Sequence, residues 1–312
     1  MRAMAQQDPM FTMNMFNKQV MNPAYAGGAG AMQLVGAARS QWVGIDGHPN
    51  TFTLSFNAPV SLLRGGLGIH LLHDVIGPFS TTFIRGAYAF HLPIGGNGAQ
   101  LQLGIAPGFY FKQLNTENFR AAQGVSNDPV LRDMQQRVLR QNNFDLGAGA
   151  FFQIPTKRIR DGFEKAYIGF FADHLLEPEL DEFSGTGQTK LARSFQLMAG
   201  YRFGDGPLSF MPNAYFRMAA SQMQLDLVGN LHVYPMVIGL GYRGLTNASD
   251  ALAVLGFHAS TRLFAAYSYD YTLSALNVAS SGSHEIVVSY LFPQVTRVYP
   301  PNLDVKHNPY VR

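Results

Sequence analysis

Several groupings in the sequence have the residue types of a chemical site. Gly239-Leu-Gly-Tyr-Arg-Gly244 matches G-x-G-x-x-G, the spacing that lets a backbone approach a pyrophosphate. That fingerprint needs a strand before it and a helix after it. Here it lies within an alternating run and leads into the turn-like Leu245-Thr-Asn-Ala-Ser-Asp250, so small residues lining a barrel fit better. His70 and His73 are metal-ligand types, but three positions apart on a strand they point to opposite faces. Ser283 precedes His284, yet a catalytic pair forms in space and not by adjacency. Neither H-E-x-x-H nor G-x-S-x-G occurs. Glu177, Glu179, Asp181 and Glu182 would suit a divalent cation or a lipopolysaccharide bridge, but a solvated acidic loop fits them better. With no cysteine there is no thiolate-ligated metal and no disulfide framework. The sequence therefore assigns no catalytic residue, cofactor or metal, and reads as a non-enzyme.

The elements that must position these residues follow from composition and period. Charged residues make up 14% of the 312, against roughly 25% in a typical soluble domain, while Gly (32) and aromatics (12%) are abundant. Nowhere do eighteen apolar residues run together, which excludes a transmembrane helix. Mean hydropathy is -0.01, as expected where apolar residues face lipid and polar ones face a lumen. A net charge of +3, with no basic run beyond Lys157 to Arg160, excludes a nucleic-acid partner.

From Ala31 onward the period is two. Leu101, Leu103, Ile105, Pro107, Phe109 and Phe111 alternate with Gln100, Gln102, Gly104, Ala106, Gly108 and Tyr110. The runs around 191–204 and 223–233 alternate likewise. About 14 such segments predict an all-β, antiparallel, transmembrane outer-membrane β-barrel. Connections 95–98, 204–207, 234–235 and 261–262 are tight, whereas 113–141, 176–190 and 272–283 are long, the pattern of periplasmic turns and outer loops. An even strand count places both termini in the periplasm. Within 113–141, Asp128-Pro129 followed by Val130, Leu131, Met134 and Val138 predicts a short amphipathic helix. The terminal run His284 to Phe292 carries aromatics on alternate positions and ends the wall.

Three units are expected. Residues 1–30 comprise a signal-peptide remnant and a periplasmic lead-in or plug, 31–292 the barrel, and 293–312 an extended periplasmic tail with Pro293, Pro300, Pro301 and Pro309. Ala3-Met4-Ala5 has the small-x-small form of a cleavage site, so the mature chain is expected to begin at Gln6. Asp8-Pro9 starts, and Asn22-Pro23 ends, a predicted helix over about 9–21, with Phe11, Met15, Phe16 and Val20 at helical spacing. Trp42 is expected in an aromatic belt. Gln102, Arg202, Asp226, Asn230, Arg243 and Asp270 are the polar residues expected to face the lumen, where paired Arg and Asp would fill it.

Several stretches together resemble the PorP/SprF family of type IX secretion system outer-membrane proteins. They are FNKQVMNPAYAG (Phe16 to Gly27), RSQWVGIDGHPNTFTLSF (Arg39 to Phe56), GLGIHLLHDVIGP (Gly66 to Pro78), YIGFFADHLLEPEL (Tyr167 to Leu180) and YSYDYTLSALNVASSGSHEIVVSYLF (Tyr267 to Phe292). The resemblance implies a single non-enzymatic barrel that supports secretion and cell-surface attachment of large adhesins or other cargo. It also implies contact with periplasmic ring or lipoprotein components of the machine, alongside outer-membrane lipid and lipopolysaccharide. On that reading Phe16, Asn22, Pro23 and Tyr25 of the lead-in, and Arg297, Tyr299 and Tyr310 of the tail, are the expected partner contacts at the periplasmic rim. The alternative is a diffusion channel or a hydrophobic-solute transporter.

Overall fold

The computed structural model describes residues 8–95, 98–115, 138–154, 165–179, 190–204, 207–220, 222–246 and 249–293. Fourteen antiparallel strands follow one another around a closed barrel. They are β1 (Gln33–Ser40), β2 (Asn50–Val60), β3 (Gly65–Ile76), β4 (Phe79–Ile94), β5 (Ala99–Asn115), β6 (Val138–Ile154) and β7 (Ala166–Asp173). The second half contains β8 (Ser194–Tyr201), β9 (Leu208–Ala219), β10 (Gln222–Val233), β11 (Met236–Leu245), β12 (Ser249–His258), β13 (Leu263–Thr272) and β14 (Ser283–Leu291). The seam closes by pairing β1 with β14, Gln33 opposite Leu291 and Ser40 opposite His284. A bond from the Phe292 amide to the Met32 carbonyl (2.9 Å) ends it. Closure leaves no free strand edge, which a lipid environment requires.

The two faces of the wall are inverted relative to a soluble sandwich. Leu103, Ile105 and Phe109 stand exposed, while Gln102 and Gly104 between them are buried. On β12, Asp250 and His258 are buried, whereas Leu255 and Phe257 are exposed. Apolar side chains outside and polar ones inside are stable only where lipid is the external solvent. Among the described residues no helix is long and apolar enough to cross a membrane.

The connections sort the barrel into two ends. One carries the β1–β2, β5–β6, β7–β8 and β13–β14 loops; the other carries turns such as Ser61–Leu63 and Tyr234-Pro235. The expected loop 113–141 is shorter than its composition implied. β5 runs to Asn115 and β6 starts at Val138, so Val138 belongs to a strand and not to a helix. The remaining residues of that predicted helix, Asp128 to Met134, lie outside the described residues. Trp42 is half-buried in the turn after β1 and not in the strand. Its amide donates to Ser283 Oγ (3.1 Å). Val43 exchanges bonds with Gly282 and Ser281 (2.9 and 2.7 Å), zipping the β1–β2 and β13–β14 loops together above the seam.

The lead-in departs from the single helix predicted over 9–21. It forms a 3-10 turn (Asn14–Phe16), one helical turn α1 (Lys18–Met21) and a second 3-10 turn (Pro23–Tyr25). A helix surrounded by barrel wall has no solvent face, so helical spacing loses its meaning. Phe11, Val20, Met21, Ala24 and Tyr25 pack with Leu72, Phe83, Phe151, Tyr167 and Tyr215 on one side. Met13, Met15 and Phe16 pack with Val35, Val237, Phe264 and Val287 on the other.

Candidate functional site

Every residue from Met10 to Gly27 is buried, and the segment crosses the lumen from end to end. Asp8 meets residues at the long-loop end, and Gly27 meets residues at the short-turn end. Three groups of contacts hold it.

The first centres on Thr12. Its amide and that of Met13 donate to the Glu285 carboxylate (2.7 and 3.1 Å), and its hydroxyl donates to Asp270 (2.6 Å). Those amide donors are unavailable to a helix, another reason the segment is not helical at Thr12 and Met13. Arg39 donates to Asp270 (2.7 Å) and Glu285 (3.1 Å). Arg243 grips Asp226 through two nitrogens (2.9 and 2.8 Å), reaches Asp270 (3.0 Å), and donates to the Phe11 carbonyl (3.1 Å). Burying three carboxylates and two guanidiniums is tolerable only because each is paired and hydrogen-bonded. The arrangement ties β1, β10, β11, β13 and β14 to one point on the lead-in.

The second group holds the beginning of the segment. Arg217 donates to the Asp8 carboxylate (2.7 Å) and carbonyl (3.1 Å). His174, just past β7, contacts Asp145 through Nδ1 (2.6 Å) and Asp8 through Nε2 (3.1 Å). Arg85 pairs with Asp173. Asp145, Asp173 and His174 approach closely enough to share a metal. Both imidazole nitrogens and Asp173 are already engaged by protein partners, so the cluster is an ion-pair network. Burial works against charge on Asp8 and on His174, but their mutual attraction, with Arg217 and Asp173, outweighs it. Asp8 is held below the usual carboxylate range and His174 well above the usual histidine value. The His174 contribution is thus fully present below its ordinary value of 6.5 and is lost as pH rises through its elevated folded value. The thermal midpoint of the solubilised protein should fall as pH climbs from 6.5 into the alkaline range, and His174→Gln should flatten that slope. An unchanged slope in the variant contradicts this assignment.

The third group is built by the NPAYAG stretch. The Asn22 carboxamide accepts from the Ala24 amide (3.0 Å) and donates to the Ala150 and Phe170 carbonyls (both 3.1 Å). Ala24 lies against Gly104, where an added Cβ would come within 2.5 Å of the Ala24 Cα. Lys18 is buried with its ammonium 5.3 Å from the Tyr25 ring and 5.0 Å from that of Tyr167. Gly27, at φ +72°, turns the chain beside Gly66 and Pro59, and Gln153 donates to the Gly28 carbonyl (2.9 Å).

Gln102, Arg202, Asp226, Asn230, Arg243 and Asp270 are all buried on the inner face. Only Asp226, Arg243 and Asp270 are brought together; Arg202 donates to Ser209 (3.2 Å) elsewhere. Phe16, Asn22, Pro23 and Tyr25 are inside the barrel and not at its rim, because the lead-in turns back through the lumen. They hold the plug instead of offering a face to a partner. Arg297, Tyr299 and Tyr310 lie outside the described residues. Glu177 and Glu179 pair on the surface with Arg193 (3.3 Å) and Lys190 (3.6 Å), so that cluster is partly neutralised; Asp181 and Glu182 are outside the described residues. Asp8, Thr12, Arg39, His174 and Glu285 escaped the sequence reading. A charged residue at an inward position was the signal for Arg39 and Glu285, which face each other across the seam.

A closed, lipid-facing barrel with a polar interior defines an outer-membrane β-barrel, here one filled by its own N-terminal segment. Solved structures resemble the chain at low similarity. They include Acinetobacter baumannii outer membrane protein Omp33 (TM-score 0.46, 7% identity, 84% of this chain and 98% of that one). CdiB from Acinetobacter baumannii gives TM-score 0.43 at 11% identity, over 84% and 60% of the two chains. KdgM porin in complex with disordered oligogalacturonate gives 0.36 at 10%, over 84% and 99%. No curated protein matches. The chain belongs to the family of type IX secretion system membrane proteins PorP/SprF, whose model matches residues 3–290. It is therefore an outer-membrane barrel associated with type IX secretion.

Proposed function

We propose that this barrel is a closed, non-enzymatic docking component of the secretion machine, which holds large adhesins or similar cargo at its long-loop end. The observation that supports this reading is the unbroken burial of Met10 to Gly27 within the lumen. A lumen so occupied counts against a diffusion channel or a hydrophobic-solute transporter, and leaves the two rims to do the work. Val278 in the β13–β14 loop is 96% exposed and Leu62 in the β2–β3 turn is 90% exposed, so each rim presents apolar anchors. The periplasmic ring or lipoprotein components would meet the short-turn rim and the tail beyond Pro293. A photo-cross-linker at Val278 should capture exported cargo, and one at Leu62 a periplasmic component. Capture of neither in cells secreting normally contradicts the docking role.

The long-loop end is assigned to the outside. Under this orientation Pro293 faces the periplasm, whereas Asp8 sits at the outer end. The two positions differ because the lead-in spans the lumen once more than the strand count records. The chain has no cysteine, so single substitutions can be labelled cleanly. In intact cells an impermeant maleimide should label Asn277→Cys and spare Leu62→Cys. The reverse pattern would invert the barrel.

A further inference from the structure

A cavity of about 250 Å³ opens beside the plug at the long-loop end, bounded on one side by Asp8, Phe11 and the groups that hold them. Its wall is layered by strand register. Near the mouth, Asp74 of β3 and Lys112 of β5 both register with Thr81 of β4. One step deeper lie Leu72, Phe83 and Tyr110; one step deeper again lie His70 and Arg85. Successive layers are about 7 Å apart, and the two outer charges are about 10 Å apart at the backbone.

Three buried polar groups here are unspent. Among the described residues no carboxylate lies within ion-pair distance of Lys112, which is 7% exposed and rests over the Phe79 ring at 5.0 Å. Asp74, 5% exposed, accepts one bond from Thr51 Oγ1 (2.6 Å) and has no cation within the same reach. His70 is 4% exposed and lines the floor, and among the described residues neither ring nitrogen meets a partner. The other charges lining the cavity are matched: Arg85 with Asp173, Arg217 and His174 with Asp8. Buried charges without partners are costly, and a ligand carrying the complementary charges removes that cost.

We propose that this cavity binds a small zwitterion with an aromatic body and a polar tip, an α-amino acid of the tyrosine type. The α-carboxylate meets Lys112 and the α-ammonium meets Asp74. The ring stacks among Leu72, Phe83 and Tyr110, and the hydroxyl reaches His70. The volume lies just below the roughly 300–1,000 Å³ of drug-sized sites, which suits a ligand of one or two residues.

The test is titration of the full chain, purified in detergent, with L-tyrosine, followed by saturation-transfer NMR and calorimetry. Removing the carboxylate (tyramine) or the ammonium (3-(4-hydroxyphenyl)propionate) should weaken binding at least tenfold, and removing the hydroxyl (L-phenylalanine) by less. Lys112→Met should abolish the preference for tyrosine over tyramine. Asp74→Asn should abolish the preference over hydroxyphenylpropionate. Tyr-Gly and Gly-Tyr distinguish a free amino acid from a dipeptide as the source of the same chemistry. The wild-type probe series stands even if a variant fails to fold. No binding of tyrosine or either dipeptide, or equal binding of all the probes, overturns the proposal.

Discussion

Replacing Arg243 with alanine should destabilise the barrel by about 3–5 kcal/mol, the usual penalty for stripping one partner from a buried ionic network. The guanidinium is fully buried and makes four kinds of contact, to Asp226, Asp270, Thr12 and the Phe11 carbonyl. Among the described residues its loss leaves Asp226 with the Gln224 amide alone (3.0 and 3.1 Å), and it weakens the hold on Thr12. Lysine should not restore it, because an ammonium cannot present parallel N–H groups to one carboxylate while reaching a second. Urea unfolding in detergent, followed by the heat-modifiable gel shift of a folded barrel, measures the effect. A change under about 1 kcal/mol, the range of an exposed pair, would show that the network is not load-sharing.

Substituting Gly104 by valine should act on the plug and spare the wall. A Cβ there would lie 2.5 Å from the Ala24 Cα and 2.6 Å from the Ala24 nitrogen, both backbone atoms without freedom to swing aside. Valine favours a strand, so β5 keeps its pairing with Ala89 and Gly149. The overpacking, about 1–3 kcal/mol, is relieved by moving Pro23 and Ala24. Asn22 then loses its bonds to Ala150 and Phe170, and Lys18, buried in the wild type, becomes a trypsin site. A folded variant whose Lys18 stays protected would contradict the close approach.

The wall was legible in the sequence because a period of two, sustained over strands of about ten residues, is a local signal. The alternation of Leu103, Ile105 and Phe109 with Gln102, Gly104 and Ala106 translates directly into outside and inside. The inward polar residues were legible for the same reason. The plug was not, because its contacts are long-range. Thr12 bonds to Glu285 and Asp8 to Arg217, partners far off in the sequence that only closure of the barrel brings near. Its apolar residues imitate a helix face, but they divide between two walls that no local pattern records. The family resemblance pointed to the right stretches without their geometry. NPAYAG supplies the Asn22 lock, RSQWVG supplies Arg39, and the SSGSHE run supplies Glu285.

Planar-bilayer conductance tests the plugged barrel most directly. The wild-type protein should insert and stay closed, with no steady current, while Gly104→Val should open in bursts as the segment from Met10 to Gly27 leaves the lumen. A wild-type protein with a large, steady conductance equal to that of Gly104→Val would contradict the plug and, with it, the docking role built on it.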